Sequence, residues 1–115
     1  MMDCIFCKLA SGEIPTDAVY EDEEMIAFGD MEPQAPVHVL IIPKRHIASL
    51  DAVSESAEDK ELLGHILSKV HVIAEKLGLE NGYRLVANTG RDANQTVQHI
   101  HFHLLGGRSF GWPPG

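Results

Sequence analysis

The sequence has few of the features that would place it in a membrane, outside a cell or on a nucleic acid. Two cysteines among 115 residues are too few for a disulfide-rich secreted scaffold. No apolar run approaches the roughly 20 residues that a membrane-spanning helix needs, so no membrane partner is expected. Nine basic residues against 17 acidic ones give a net charge of −8, which argues against nonspecific binding of a phosphate backbone and predicts no nucleic-acid partner.

The N-terminal segment also lacks the pattern of a secretion signal. Residues Met1–Cys7 contain no basic start and no apolar run of useful length, which predicts a cytoplasmic protein. The hydrophobic fraction of 44% and the charged fraction of 23% are those of a globular chain. A length of 115 residues suits one domain over residues 1–115.

Five short segments have the composition of β-strands. Apolar alternation or β-branched residues predict strands at 18–21, 25–28, 37–42, 83–88 and 97–105. The segment Val37–Ile42 is nearly all apolar, which predicts a central strand covered on both faces. The spacing of Ile5, Phe6 and Leu9 over residues 3–9 predicts a short N-terminal helix.

One long helix is predicted between Ser56 and Gly78. Ser56 with Asp59 three residues later is typical of a helix N-terminus, and Gly78 is typical of the residue after a helix. His65 and His71 lie on different faces of this helix and are expected to be solvated. Between the two ends, apolar residues recur every three or four positions and form one stripe: Leu62, Ile66, Val70, Ile73 and Leu77.

Strands grouped around one long helix, without regular alternation of strand and helix, are typical of an α+β fold. The sequence therefore predicts a mostly antiparallel five-stranded sheet with one long helix and a short N-terminal helix. The long helix is expected to cover one face of the sheet and to leave the other face free for chemistry.

The last predicted strand carries three of the seven histidines at every second position. Alternate side chains of a strand point to opposite faces, so His99, His101 and His103 are expected to share one face. The intervening residues Ile100 and Phe102 are then expected to enter the core. A rise of about 3.3 Å per residue spaces successive imidazoles by about 6–7 Å.

Three interpretations of this histidine pattern remain open from the residues alone. The first is a half-exposed strand whose polar face happens to be histidine. The second is a metal site, because alternate histidines on a strand can share one zinc ion. The third is a nucleophile site for a phosphate, in which neighbouring imidazoles divide the roles of neutral nucleophile and proton donor.

The histidine segment resembles the motif of the histidine-triad (HIT) family, His-x-His-x-His followed by two apolar residues. The similarity extends along almost the whole chain and favours the HINT branch, so that residues 1–115 are expected to form a single HIT domain. Fhit-like dinucleoside polyphosphate hydrolases do not end as this chain does. The matching segments are Glu13-Ile14-Pro15, Phe28-Gly29-Asp30, Pro33-Gln34-Ala35-Pro36, Pro43-Lys44-Arg45-His46, Leu104-Leu105-Gly106-Gly107-Arg108 and Trp112-Pro113-Pro114-Gly115.

This resemblance implies a two-step hydrolysis of nucleoside phosphoramidates. His101 would attack the α-phosphorus, the amine would leave, and water would release the nucleoside monophosphate from a nucleotidyl-histidine intermediate. His103 would contact the phosphate oxygens or the leaving group, or it would support the site without touching the substrate. His38 matches a histidine that supports the active site, and His99 completes the triad.

The resemblance also implies the residues that bind a purine nucleotide. Asn88 and Thr96 match donors to the phosphate, and Gln95 could assist them. Asp30 matches the carboxylate that accepts hydrogen bonds from the ribose hydroxyls. The apolar walls around the base would be formed by Ile5, Phe6, Leu9, Phe28 and Met31.

The motif Cys4-Ile5-Phe6-Cys7 is open to three interpretations: half of a metal site, a redox pair, or two ordinary residues. Other HIT proteins that carry this motif bind structural zinc with two further histidines. By that resemblance the zinc ligands would be Cys4, Cys7, His46 and His99, a Cys₂His₂ set with the spacing that zinc requires. The chemistry at His101 would need no metal.

The resemblance finally implies a homodimer in which the C-terminal tail, with Trp112, approaches the partner's active site. An apolar, aromatic tail is consistent with burial at an interface. Two other functions stay open beside the phosphoramidate hydrolase. One is a dinucleoside polyphosphate hydrolase or nucleotidyl transferase, and the other is a nucleotide-binding scaffold protein with weak activity.

Overall fold

The computed structural model describes residues 4–115. Residues 1–3, which include the first residue of the helix predicted at 3–9, lie outside the described residues. Helix α1 spans Ile5–Ser11, and the long helix α2 spans Ala57–Lys76. Within residues 4–115, no helix combines the length and the apolar character needed to cross a bilayer. The strands are β1 (Ala18–Glu21), β2 (Met25–Gly29), β3 (Val37–Pro43), β4 (Tyr83–Val86) and β5 (Phe102–Gly106), with a 3₁₀ helix at Leu50–Ala52.

The five strands form one antiparallel sheet, as the sequence predicted. Its order is β1-β2-β3-β5-β4, so β3 is central and β4 lies at an edge. Residues 38–43 of β3 are all buried, which confirms a central strand covered on both faces. Val39 and Ile41 face one side of the sheet, and Leu40 and Ile42 face the other.

The predicted ends and apolar stripe of α2 are confirmed. The Ser56 hydroxyl accepts a hydrogen bond from the Asp59 backbone N–H, and Gly78 has a φ of +74°, which favours glycine after a helix. The Asp59 carboxylate does not complete a capping box, however. It accepts from the Ser54 N–H at 2.7 Å and from Arg45 at 2.6 Å, which lower the pKa of Asp59 to about 2. Asp59 thus attaches the preceding loop to the helix.

The face of the sheet opposite α2 is only partly free, so that expectation was partly wrong. Phe6 and Ala10 of α1 are buried against Phe28, Leu40 and other apolar side chains of this face. The reason is that β3 is apolar at successive positions, so both of its faces require a cover. The open part of this face is therefore restricted to the region beyond α1.

Two strands are shorter than predicted. Strand β4 ends at Val86 rather than at residue 88, and β5 begins at Phe102 rather than at residue 97. The ladder between β3 and β5 stops at the pair Ile41–Phe102, and Ile100 instead donates its backbone N–H to the Ile47 carbonyl at 2.6 Å. Residues 97–101 therefore run beside the loop that follows β3, and two of the three histidines precede the strand.

His65 is not a solvated surface residue, in contrast to the expectation. Its Nε2 lies 2.7 Å from the Asp22 carboxylate, which also accepts hydrogen bonds from Tyr20 and from two backbone N–H groups of the β1–β2 turn. His71, as expected, is exposed. The His65–Asp22 pair thus joins α2 to the turn between β1 and β2.

We expect Asp22→Asn to destabilise the fold by about 1–2 kcal/mol at pH 7, on the scale of charged hydrogen bonds. Burial by itself would raise the pKa of Asp22, but the hydrogen bonds from the Glu24 N–H, His65, Tyr20 and the Met25 N–H outweigh it and lower the pKa. A carboxyl whose pKa is lower in the folded state stabilises at neutral pH and loses that contribution as the pH falls below about 4.

Urea unfolding of both proteins at pH 7 and near pH 3 tests this prediction. The difference in unfolding free energy should shrink at the lower pH. Asp92→Asn is a matched control, because the Asp92 side chain is 97% exposed. An equal difference at both pH values would contradict the assignment.

Candidate active site

His101 is held in one orientation and one tautomer. Its Nδ1 lies 2.8 Å from the His99 carbonyl, which can only accept a hydrogen bond, so Nδ1 carries the proton. The Nε2 lone pair is therefore free to act as a nucleophile. The Phe6 ring packs against the imidazole in an edge-to-face arrangement, with ring centroids 5.1 Å apart.

The three histidines share one face, as the alternation predicted, and α1 covers two of them. Ile100 and Phe102 belong to the core under α2, while His99 and His101 lie on the α1 side against Phe6. His99 is fully buried and His101 is 5% exposed, because α1 covers them. The His101 ring is thereby largely shielded from bulk water.

His103 lies on β5 and receives a hydrogen bond from His38 on β3. The register places His103 opposite Leu40, so His38 is its diagonal neighbour on the same face. The Gln34 backbone N–H donates to His38 Nδ1 at 3.0 Å, so the proton of a neutral His38 is on Nε2. His38 Nε2 lies 2.9 Å from His103 Nδ1 and donates to it. A neutral His103 therefore carries its own proton on Nε2.

The two candidate reactive rings are closer than the sequence predicted. The ring centroids of His101 and His103 lie 5.1 Å apart, against an expected 6–7 Å, because His101 precedes β5 and is not aligned by its ladder. Burial lowers the pKa of His103, and the neighbouring His101 and His38 lower it further, against the opposing effect of Asp30. His103 is therefore a neutral donor at neutral pH.

Asp30 lies beside this pair, at the end of β2. One oxygen, Oδ2, is 3.3 Å from His38 Nε2 and 4.0 Å from His103 Nδ1. The other oxygen accepts from the Glu32 backbone N–H at 2.8 Å, which orients the carboxylate. The structure thus brings the predicted ribose acceptor to the histidine cluster, with its side chain 19% exposed.

The predicted phosphate-binding residues lie in the segment that follows β4. Asn88 is half-buried and Thr96 is exposed. Gln95 differs from the prediction, because its amide donates to the Ala48 and Val97 carbonyls at 2.8 and 2.9 Å. Both N–H groups of that amide are used within the chain, so Gln95 closes its loop and has no donor left for an anion.

The predicted apolar walls are only partly assembled. Phe6 and Phe28 are buried in edge-to-face contact, with centroids 5.9 Å apart, and Leu9 packs beside them. Ile5 remains 48% exposed. Met31 and Trp112, by contrast, are 96% and 82% exposed, Met31 in the loop after β2 and Trp112 in the tail.

Cys4, Cys7, His46 and His99 form a second cluster, whose four ligand atoms lie within 4.8 Å of one another. The sulfur–nitrogen distances of 3.3, 3.3 and 3.6 Å are close to the roughly 3.6 Å that tetrahedral zinc with Zn–S and Zn–N bonds of about 2.3 and 2.05 Å requires. His99 donates from Nε2 to the Pro43 carbonyl, which leaves its Nδ1 lone pair directed at the cysteines. The donor set fits zinc.

Burial shifts the pKa values of two of these ligands in opposite directions. Burial lowers the pKa of His99, so the imidazole is neutral, as a metal ligand must be. Burial raises the pKa of the Cys7 thiol, and the neighbouring Cys4 raises it further. Two close thiolates at this position therefore need a positive charge beside them.

Asp30, His38 and His103 also place one ligand atom each within 4.8 Å of one another, but their hydrogen bonds argue against a metal there. A metal on His38 Nε2 would require the proton on Nδ1, where the Gln34 N–H already donates. His99 also carries its proton on Nε2, but there Nε2 points away from the cluster, to the Pro43 carbonyl. The nitrogen that faces the cysteines, Nδ1, is the one with the lone pair. The ring nitrogens of the first cluster are thus engaged in hydrogen bonds, whereas those of the second leave a lone pair for an ion.

Sequence reasoning missed the main-chain groups that select these tautomers. The Gln34 N–H and the carbonyls of Pro43 and His99 each choose which ring nitrogen of a histidine is protonated. In the sequence, Gln34 and Pro43 belong to segments that match the family, but nothing in those segments indicates a role for their main-chain groups. A main-chain group has no residue type, so composition and spacing could not have identified it.

Comparison with known proteins places the whole chain in one group. A family model described as the HIT domain matches residues 11–110. An uncharacterised HIT-like protein of Synechococcus elongatus is 56% identical over 113 residues, which cover 98% of this chain and 97% of that protein. A 14 kDa zinc-binding protein of Zea mays is 49% identical over 111 residues, covering 96% and 87% of the two chains. The crystal structure of a HIT family hydrolase from Legionella pneumophila superposes with a TM-score of 0.93, at 53% identity and 98% and 100% coverage.

Proposed function

Because this chain belongs to the HIT family, we propose that it hydrolyses nucleoside 5′-phosphoramidates through a covalent nucleotidyl intermediate on His101. The observation that carries the proposal is the 2.8 Å hydrogen bond from His101 Nδ1 to the His99 carbonyl. A ring fixed in this way presents the Nε2 lone pair without the entropy cost of orienting it.

The proposed reaction has two displacements at phosphorus. In the first, His101 Nε2 forms a bond to the α-phosphorus, the P–N bond breaks, and the amine leaves with a proton taken from solvent, which the attacking water returns in the second displacement. In the second, water attacks the same phosphorus, the bond to Nε2 breaks, and the nucleoside monophosphate is released with His101 regenerated. The Nε2–H of the neutral His103 is suited to donate a hydrogen bond to a phosphate oxygen or to the leaving amine, and it keeps its proton.

Three further residues are proposed to bind the substrate. Asn88 and Thr96 would hold the phosphate, and Asp30 would accept hydrogen bonds from the ribose hydroxyls. The apolar walls would enclose the base, which in this proposal is a purine. Gln95 would act indirectly by holding its loop closed.

Zinc at Cys4, Cys7, His46 and His99 is proposed as a structural ion. Four protein ligands saturate a tetrahedral zinc and leave no position for substrate, so the ion would supply folding energy and no chemistry to the reaction.

We also propose that the protein is a homodimer joined at β4. This strand ends the sheet, and an unpaired strand edge is a template for a second strand. Tyr83 on β4 and Trp112 in the tail are 42% and 82% exposed, and aromatic side chains of this kind are enriched where protein surfaces meet. Sedimentation equilibrium would refute this if the mass were that of a monomer at micromolar concentration.

The stereochemistry at phosphorus tests the two-step mechanism. A phosphoramidate carrying one sulfur on a chiral phosphorus is hydrolysed in water enriched in oxygen-18. Two displacements should give retention of configuration. Inversion would show that water attacks the substrate directly, and the covalent intermediate would be wrong even if the enzyme is active.

A further inference from the structure

A line of hydrogen bonds connects the C-terminal tail to His103. The Arg108 guanidinium donates from Nη2 to the Gln34 carbonyl at 3.1 Å. The Gln34 backbone N–H donates to His38 Nδ1 at 3.0 Å, and His38 Nε2 lies 2.9 Å from His103 Nδ1. One end of the line is therefore an exposed arginine, and the other end is a ring of the candidate active site.

Arg108 is itself held in position by its neighbours. Its guanidinium carbon lies 4.2 Å above the centroid of Phe110, and its Nη1 donates to the Ser109 carbonyl. Gly107 has a φ of +89°, and a Cβ there would lie 2.9 Å from Pro36 Cβ, so only glycine lets the tail pass this close to the loop. The path of the tail thus places the Arg108 side chain beside Gln34 and limits its conformational freedom.

We propose that Arg108 is a positioning residue that keeps His103 in the tautomer that donates from Nε2. If Gln34 withdraws, its N–H no longer requires an unprotonated Nδ1 on His38. The proton of His38 can then move to Nδ1, so that His38 Nε2 accepts and His103 Nδ1 donates. His103 Nε2 is then a lone pair, which repels a phosphate oxygen instead of binding it.

The effect of Arg108 is partial, because a second group favours the same tautomer. The Asp30 carboxylate lies 3.3 Å from His38 Nε2 and favours a proton there. A single hydrogen bond to a carbonyl corresponds to a factor of about 2–10 in an equilibrium. Loss of Arg108 should therefore raise the ratio of the wrong to the right tautomer by about that factor.

The tautomers can be measured without any substrate. Long-range ¹H–¹⁵N correlation spectra of ¹⁵N-labelled protein report which nitrogen of His38 and His103 is protonated. We expect Nε2–H on both rings in the wild type and a shift toward Nδ1–H in Arg108→Met, by about 2–10-fold in the tautomer ratio. Gln34→Pro, which deletes the N–H itself, should produce the same shift.

Arg84→Met is the matched control for this measurement. Arg84 also stacks on Phe110, but its guanidinium donates to the Gly111 carbonyl and not to that of Gln34. Its spectra should match those of the wild type. Wild-type spectra for Arg108→Met would overturn the proposal, as would an equal shift for Arg84→Met, because the tail in general and not Arg108 would then be responsible.

The catalytic consequence rests on the proposed function. In phosphoramidate hydrolysis, kcat of Arg108→Met should fall about 2–10-fold while KM changes less than about twofold, since the lost contact acts on the phosphoryl group in the transition state. Arg108→Lys should recover part of the loss. Arg91→Met, at a side chain that is 96% exposed, should not change either constant.

The two experiments separate failure of this proposal from failure of the proposed function. A tautomer shift in a protein that does not hydrolyse phosphoramidates leaves the positioning role intact and removes the hydrolase assignment. A shift with unchanged kcat would overturn the catalytic role of the His103 tautomer. Unshifted tautomers overturn the positioning role whatever the activity.

Discussion

Replacing His101 by alanine will abolish hydrolysis of an adenosine phosphoramidate and leave binding of the nucleoside monophosphate nearly intact. The rate should fall by about 10⁴-fold or more, the scale seen when a covalent nucleophile is removed. Binding should persist because the proposed contacts of ribose and phosphate are made by Asp30, Asn88 and Thr96, none of which is held by the His101 ring. Amine release and calorimetric titration with the monophosphate measure the two quantities separately.

The control for this experiment must show that the His101 variant still folds. The ring is 5% exposed and packs on Phe6, so its truncation leaves a cavity and costs about 2–4 kcal/mol. Unfolding by urea measures that cost. His101→Gly with added imidazole is a sharper test, because a diffusible nucleophile in the vacated space should restore part of the rate.

If the variant without His101 hydrolysed the phosphoramidate as fast as the wild type, the nucleophile assignment would be wrong, and direct attack by water would be favoured. Loss of monophosphate binding together with activity would instead mean that His101 is part of the binding site. A protein that binds nucleotides and shows no turnover in the wild type would be the scaffold protein. His71→Ala, at an exposed position of α2, should behave as the wild type in all these measurements.

Helix α2 could be predicted from the sequence because every signal for it is local. Ser56 caps its first turn, one apolar stripe faces the sheet, and Gly78 adopts the left-handed conformation after its end. The role of Asp59 was misjudged for the opposite reason. Its carboxylate bonds to Arg45, 14 residues earlier, and such a partner leaves no periodic pattern.

The histidine segment shows where alternation succeeds as a signal and where it fails. Period-two alternation placed Ile100 and Phe102 in the core, because the chain is extended there whether or not it pairs. Pairing itself depends on the neighbour, and β3 stops pairing with β5 at Ile41. Burial of His101 depends on α1, almost 100 residues away in the sequence, and no local pattern reports that contact.

The candidate site was predicted as a set of side chains, and the structure supplies the relations among them. Resemblance to a known family identified His38, His101 and His103. It did not give their tautomers, which follow from the Gln34 N–H and the His99 carbonyl. These relations decide the roles, since exchanged protons would give His101 an N–H and His103 a lone pair at the two Nε2 atoms, which reverses nucleophile and donor.

The purified protein should contain one zinc ion per chain, and its removal should lower the midpoint of thermal unfolding by about 10–20 °C. An ion bound only to the native state at a thousandfold its dissociation constant stabilises by about 4 kcal/mol. For a domain of this size each kcal/mol corresponds to about 3–5 °C. Metal analysis gives the stoichiometry, and calorimetry with and without a chelator gives the shift.

Cys7→Ser should abolish the response of the unfolding midpoint to zinc and to chelator. Removal of one ligand reduces the set to Cys4, His46 and His99, and serine is a poor ligand because its hydroxyl stays protonated. Ser68→Ala, on the surface of α2, is expected to retain the full response. A wild-type protein with no zinc at near-unit stoichiometry and no midpoint shift would show that the cysteine pair is unmetallated.

Loss of zinc should also slow hydrolysis, although the ion takes no part in the chemistry. In the proposed site, His99 would bind the ion through its side chain, and its carbonyl orients His101, so one residue would serve both centres. Through Cys4 and Cys7 the same ion would also hold α1 in place, and Phe6 of α1 packs against the His101 ring. Chelated protein should therefore lose activity at temperatures well below its unfolding midpoint, and full activity of folded, zinc-free protein would show that the two centres are independent.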